Sequence, residues 1–350
     1  MSKLHTRLCD LLGVDHPIVQ TGMGWVAGPR LAAATSNAGG LGILASATMT
    51  LPELQSAIAE MKTRTNKPFG VNLRTDSPDV VDRVELLISE RVKVASFAMA
   101  PRADLVTRLR DGGLVVIPSI GAKRHAEKVA EMGVDAVLVQ GGEGGGHTGS
   151  VPTTLLLPQV VDAVNVPVIA AGGFFDGRGL VAALAYGAEG IAMGTRFLLT
   201  KESTVPDSVK EFYLGRSVLD TLVTEKVDGF PHRVLRTEFV NELVEAGRVR
   251  TLVRALRNAW AYKRYSKAKW SDMLREGVAM RKAYELSYGQ MLMAANTPMM
   301  LRAAMVEGKL DFGVMASGQV VGVIDDLPTV ADVIERIIKE AEATLDRLGT

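Results

Sequence analysis

Over the first two hundred residues, short and continuous apolar runs alternate with longer segments in which apolar residues recur every three or four positions. The runs are Pro17-Ile-Val-Gln20, Gly42-Ile-Leu-Ala45, Phe69-Gly-Val-Asn-Leu73, Lys93-Val-Ala-Ser-Phe97, Leu114-Val-Val-Ile117, Ala136-Val-Leu-Val139, Val168-Ile-Ala-Ala171 and Gly190-Ile-Ala-Met193. Between them lie helical patterns such as Leu51 to Thr65 and Ala122 to Gly133, with Gly133 and Gly187 placed as stops. Strands that are apolar throughout, rather than alternating, belong to a parallel sheet covered on both faces. Eight such units predict an α/β fold closed as a (β/α)₈ TIM barrel rather than an open doubly wound sheet.

The pattern changes after residue 200. The barrel is expected to occupy 1–200 and 311–350, with 201–310 inserted as a helical, substrate-binding cap. Asp311 to Gly322 reads as the return to the barrel mouth, and Val330 to Leu348 as a closing amphipathic helix. Met291, Met293, Met299, Met300 and Met305 read first as core packing beside the cap, although adaptable methionines also suit a pocket for a bulky apolar group.

The length of 350 residues suits a barrel of about 250 residues plus such an appendage. With 40 basic and 39 acidic side chains the chain exerts no global pull on nucleic acid or membrane, so electrostatic specialisation must be local. Cys9 is the only cysteine, which excludes an intramolecular disulfide and a cysteine-based metal site and fits a reducing compartment. The first ten residues lack a signal-peptide core, and no apolar run reaches the roughly 18 residues of a membrane span, so a soluble cytoplasmic protein is expected.

In a barrel of this kind the chemistry sits on the loops at the C-terminal ends of the strands, where the most informative residues fall. Gly22-Met23-Gly24-Trp25 follows the first strand, Asn72 ends the third, Ser119 the fifth, and Gln140-Gly-Gly-Glu-Gly-Gly-Gly-His147-Thr-Gly149 follows the sixth. Gly172-Gly173 and Gly194-Thr195 follow the last two, where backbone N–H groups converge on an anion beside a helix N-terminus. A phosphate-bearing cofactor is therefore expected. His147 is the candidate acid or base, because histidine's unperturbed pKa lies nearest neutrality.

These segments resemble the nitronate monooxygenase family, formerly the 2-nitropropane dioxygenases, which also contains flavin-dependent enoyl-acyl-carrier-protein reductases. The resemblance rests on Pro17 to Gly24, Gly70-Val-Asn-Leu73, Gln140 to Gly149, Leu156-Leu-Pro-Gln159, Val168 to Phe174, Gly194 to Leu198, Val234-Leu-Arg236 and Ala316-Ser-Gly-Gln319 with Gly322. It covers the chain except about 250 to 300, and the histidine loop is its most specific part. Gly144 departs from the family's usual alanine or other small residue and is expected to loosen that loop. The resemblance implies noncovalent FMN, its phosphate on Gly172, Gly173, Gly194 and Thr195, and its ribityl chain and ring lined by Gly22, Met23, Asn72, Ser119, Gln140 and Gly145. It also implies His147 as the base that removes a proton α to an activating group.

The remaining histidines invite blander readings. His16 precedes Pro17 as a turn residue, His125 shares a solvated helix face with Lys123, Arg124 and Lys128, and His5 and His232 read as surface positions. Glu143 either orients His147 or a loop amide, or is an exposed carboxylate. No two histidines share metal-ligand spacing with a carboxylate, so no catalytic metal is expected.

Arg248 to Lys282 carries eleven basic residues against Asp272 and Glu276, with Trp260, Tyr262, Tyr265 and Trp270 among them. It reads either as a solvated helical lid or as a cradle for a polyanion, with Arg254, Arg257, Lys263 and Arg264 as candidate phosphate contacts. A coenzyme A thioester fits the cradle, since it has phosphates at one end and an acidified α-proton at the other. Within the family the chain is most similar to the actinobacterial branch acting on CoA esters of the last steroid rings, which implies formation, or reduction, of a C–C double bond. Rival readings are a nitronate monooxygenase using dioxygen, an enoyl-thioester reductase whose NAD(P)H would visit the open flavin face, and a non-enzymatic binder of nucleic acid. The expected partner is a small-molecule thioester, with neither nucleic acid nor membrane; a homo-oligomer is compatible with the sequence.

Overall fold

The computed structural model describes residues 3–245, 298–311 and 313–349. Its strands are β1 (Ile18–Gln20), β2 (Leu41–Ala45), β3 (Phe69–Leu73), β4 (Val94–Phe97), β5 (Val115–Ile120), β6 (Val137–Gln140), β7 (Gly146–His147), β8 (Val168–Ala171), β9 (Gly190–Met193), β10 (Thr221–Thr224) and β11 (His232–Leu235). Eight of them, β1–β6 with β8 and β9, form a closed parallel barrel. Closure is made by β1 against β9, with Val19 opposite Ala192 and Gln20 opposite Met193. All eight strands anticipated from the apolar runs are present, within three residues at each end.

The barrel is solid. Val19, Leu41, Ile43, Val94, Ile117, Leu138, Ile169 and Ala192 fill its interior, and Leu8 and Leu12 of the helix Arg7–Leu12 pack against the same cluster. Outside the strands, each helix buries one apolar stripe. The helix Leu51–Arg64 shows the logic: a Thr50/Glu53 capping box starts it, and Leu54, Ala57, Ile58 and Met61 recur at helical spacing on the buried face.

The C-terminal helix Val330–Leu348 follows the same rule, with a Thr329/Asp332 capping box and buried Val330, Val333, Ile334, Ile337 and Ala341. It lies so close to the helix Gly177–Ala185 that a Cβ on Gly177 would come within 2.3 Å of the Ala341 amide nitrogen.

The described residues within 201–310 are helical at Asp207–Leu214 and Glu238–Glu245, and they also carry β10 and β11, which the apolar pattern did not single out. A second core of Val227, Val234, Phe239, Val240, Leu243, Met300 and Val314 lies beneath them. Met300 and Met305 are buried, while Met291 and Met293 lie outside the described residues. Among the described residues no helix is long and apolar enough to cross a membrane.

Candidate active site at the barrel mouth

The candidate residues named from the sequence converge on the C-terminal end of the barrel. Gly22 follows β1, and a Cβ there would meet Asn72 Cβ, on β3, at 2.5 Å. Gly194, just after β9, faces Met23 Sδ across 3.3 Å measured from an ideal Cβ. Asn72 is buried and donates from Nδ2 to Ser96 Oγ at 3.3 Å. Ser119 is half-buried within β5, which continues to Ile120 rather than ending at Ile117.

The loop between β6 and β8 carries the histidine. Gln140, the last residue of β6, folds its side chain over it and donates Nε2 to the His147 carbonyl at 2.8 Å and the Gly145 carbonyl at 3.3 Å. Gly144 makes this possible, because a Cβ at that position would fall 2.6–2.8 Å from Gln140 Nε2, Cγ and Cδ. The space a side chain at 144 would fill is taken by this side-chain staple. Glu143 accepts hydrogen bonds from Thr153 N at 3.0 Å and Thr153 Oγ1 at 2.7 Å, at the start of the helix Thr153–Val161. It orients the first amide of that helix rather than His147 or an amide of its own loop, and it places an anion where the helix dipole favours one.

β7, the histidine's own strand, is the edge of a second, small sheet. It pairs antiparallel with β11, His147 opposite His232 and Gly146 opposite Arg233, and β11 continues the sheet to β10. Arg233 tightens the join by donating Nη2 and Nε to the Gly142 carbonyl at 2.8 and 3.2 Å and Nη1 to Thr221 Oγ1 at 2.9 Å. The return segment closes the other side, since Gly318 N donates to Thr195 Oγ1 at 3.0 Å and Gln319 N to the Glu143 carbonyl at 3.0 Å.

His232 is not on the surface. Its side chain is 4% exposed, and its Nδ1 lies 3.3 Å from Asp228 Oδ2. His147 Nε2 lies 2.7 Å from the same oxygen, while the His147 side chain is 62% exposed. Burial alone would push the Asp228 carboxyl up, but hydrogen bonds from both imidazoles outweigh it and hold it well below the usual carboxylate range. Phe230 stands edge-on to the His147 ring, centroids 6.1 Å apart. The three ligand-type side chains His147, Asp228 and His232 therefore do come together, which sequence spacing alone did not suggest. The one local signal was Asp228-Gly-Phe-Pro-His232, a turn sequence that brings a carboxylate under a histidine four residues later.

The residues present fit a phosphorylated flavin. Gly172 and Gly173 hold φ of +91° and +86°, which a side chain rarely tolerates, and an ideal Cβ on Gly173 would meet nothing closer than 3.8 Å. The Gly173 backbone thus bounds open space after β8, whereas a Cβ on Gly172 would lie 3.0 Å from the Gly141 carbonyl oxygen, so the turn packs closely on the histidine loop. Near the end of β1, Gln20 Oε1 and Trp25 Nε1 are buried without a hydrogen-bond partner among the described residues, as expected where a polar ligand completes the site. Arg254, Arg257, Lys263 and Arg264 lie outside the described residues.

Comparison with known proteins agrees with this architecture. The chain is 62% identical over 349 residues to the (3aS,4S,5R,7aS)-5-hydroxy-7a-methyl-1-oxo-octahydro-1H-indene-4-carboxyl-CoA dehydrogenase of Rhodococcus jostii, covering 100% of this chain and 99% of that one. It is 61% identical to the protein of the same name from Mycobacterium tuberculosis, over 97% of this chain and 96% of that one. The solved structure of FabK from Thermotoga maritima superposes with a TM-score of 0.80 at 38% identity, over 98% of both chains. The family profile of nitronate monooxygenase matches residues 5–85 and 79–340, nearly the entire length. The chain belongs to the nitronate monooxygenase family, a family of flavin-dependent oxidoreductases.

Proposed function

We propose that this oxidoreductase acts on a bulky acyl-CoA, removing the proton next to the thioester with His147 and forming a C–C double bond, with FMN as the bound cofactor. The observation that carries the reading is an exposed imidazole, braced on a buried carboxylate, at the same barrel mouth as the left-handed Gly172–Gly173 turn. The two dehydrogenases over 60% identical to it are named for a carboxyl-CoA on carbon 4 of a fused ring, so the corresponding acidic proton would be the one on that ring carbon.

Gly172, Gly173, Gly194 and Thr195 would hold the FMN phosphate through loop backbone amides, and Gly22, Met23, Asn72, Ser119, Gln140 and Gly145 would line the rest of the cofactor. Bound FMN supplies a two-electron acceptor. The protein's task is then to place the α-carbon at His147 and to stabilise the imidazolium that forms, for which Asp228 supplies the negative charge. Arg254, Arg257, Lys263 and Arg264 of the cap, 201–310, would take the CoA phosphates over a barrel formed by 1–200 and 311–350.

Titration of the flavin-loaded protein with free CoA and with a ring-bearing acyl-CoA tests the reading through the visible flavin band. Saturable perturbation, weakened when Arg254 and Arg257 become alanine, is expected. His147→Ala should keep the yellow spectrum while lowering turnover at least about a hundredfold. Silence toward CoA, with rapid oxygen uptake on an alkyl nitronate, would replace the reading with nitronate oxidation, the activity for which the family is named.

A further inference from the structure

One carboxylate under two imidazoles is more than a histidine base needs for support. Asp228 Oδ2 receives both rings, at 2.7 Å from His147 Nε2 and 3.3 Å from His232 Nδ1, and Oδ1 accepts the Phe230 amide at 3.2 Å. Both oxygens are thereby occupied by N–H groups, and the side chain is 8% exposed. An ionised carboxylate has no proton to give, so each nitrogen facing it must be the protonated one. The two rings lie 4.7 Å apart at 46°, so His232 also limits how far Asp228 and His147 can turn.

The same three groups could in principle cage a metal. Ligands at about 2.1 Å from a tetrahedral zinc stand roughly 3.4 Å apart, however. The 2.7 Å between His147 Nε2 and Asp228 Oδ2 is the spacing of a shared proton.

We infer that Asp228, braced by His232, is the positioning residue that holds His147 as the Nε2–H tautomer and leaves Nδ1 as its basic nitrogen. The inference deepens the proposed function and rests on His147 being the base. In the resting state the trio carries one negative charge, on Asp228. When Nδ1 takes a proton from carbon, the His147–Asp228 pair becomes an imidazolium–carboxylate ion pair and the trio becomes neutral, while the electron pair of the broken C–H bond stays with the substrate. His232 changes neither its proton nor its charge in this step. Its Nε2 is buried without a partner among the described residues, which suits a fixed brace and not an exchanging base.

Long-range ¹H–¹⁵N spectra of the ¹⁵N-labelled holoenzyme read the tautomer directly, with the His147 signals assigned by their loss in His147→Gln. The expected spectrum has a protonated Nε2 and a bare Nδ1 on His147. In Asp228→Asn the proton should move substantially to Nδ1, and kcat should fall about a hundredfold with KM changed less than about threefold. Asp228→Glu should restore the Nε2–H signal in part. A wild-type His147 protonated on Nδ1 alone would overturn the inference, whether or not any variant folds. So would an Asp228→Asn enzyme with unchanged tautomer and unchanged kcat. If the tautomer moves as expected but His147→Ala keeps full turnover, the base assignment fails while the tautomer assignment stands.

Discussion

At the scale of single residues, the histidine loop is held by side chains that reach across it rather than by its own sequence. Gln140 covers it from the barrel, and Gly144 is small because Gln140 occupies the space a methyl group would need. Arg233 holds it from β11 with a planar fork, two N–H groups on one carbonyl oxygen and a third on Thr221. Burial pulls the Arg233 pKa down and the nearby Glu143 charge pulls it back up, with burial prevailing. Lysine would keep the charge but cannot reproduce the fork. Arg233→Lys is therefore expected to lose roughly 1–3 kcal/mol, because the Gly142 carbonyl would be left short of donors. Urea unfolding of the two proteins measures this, and equal midpoints at equal slopes would show that the fork contributes nothing.

At the scale of elements, the site is a junction of three pieces: the β6–β8 loop, the strand β11 and the return segment near Gly318. Gly145 sits where the loop and the return segment meet, and an added Cβ would lie 2.5 Å from both Gly318 N and Ser317 C, which are backbone atoms that cannot swing aside. Gly145→Ala should thus push Gly318 away from Thr195, and the flavin dissociation constant should rise about 10–100-fold, equivalent to roughly 1.4–2.8 kcal/mol. The flavin-to-protein absorbance ratio after gel filtration tests this, and an unchanged ratio would mean that the junction does not shape the cofactor site. The same elements explain what was legible in the sequence. The barrel strands could be read because burial on both faces makes each one continuously apolar, and the histidine loop because its glycines and His147 follow such a strand. The β7–β11–β10 sheet could not: β7 is two residues long and its partner β11 lies far along the chain, and β10 is partly exposed. His232 was misplaced for that reason, since only the long-range pairing of β11 with β7 brings it under His147.

At the scale of the whole molecule, acid stability should report on how the chain ties distant parts together with ionised carboxylates. Asp79 is held below the usual range first by its hydrogen bond from Arg83, whose other N–H groups clasp the Ser46 and Met49 carbonyls after β2. Asp326 is pushed up by burial but pulled further down by Arg336 and Arg196, so it joins the C-terminal helix to the buried Arg196 beyond β9. Asp228 behaves alike under its two imidazoles. In the unfolded chain these groups return to a pKa of about 3.9, above their folded values, so below that region the unfolded state binds more protons than the folded one. Their contribution is then fully present above pH 5 or so and is lost as the pH falls through the lower folded values. The urea midpoint should accordingly hold steady with respect to these groups from pH 7 to about 5.5 and drop below about pH 4. Asp326→Asn should lower the neutral-pH stability by roughly 1.5–3 kcal/mol, since it removes the charged acceptor of a buried arginine, and it should flatten the acid slope at the same time. A mutant less stable at pH 7 but with the full wild-type slope below pH 4 would show that Asp326 acts through packing and that its ionisation is not what joins the C-terminal helix to the barrel.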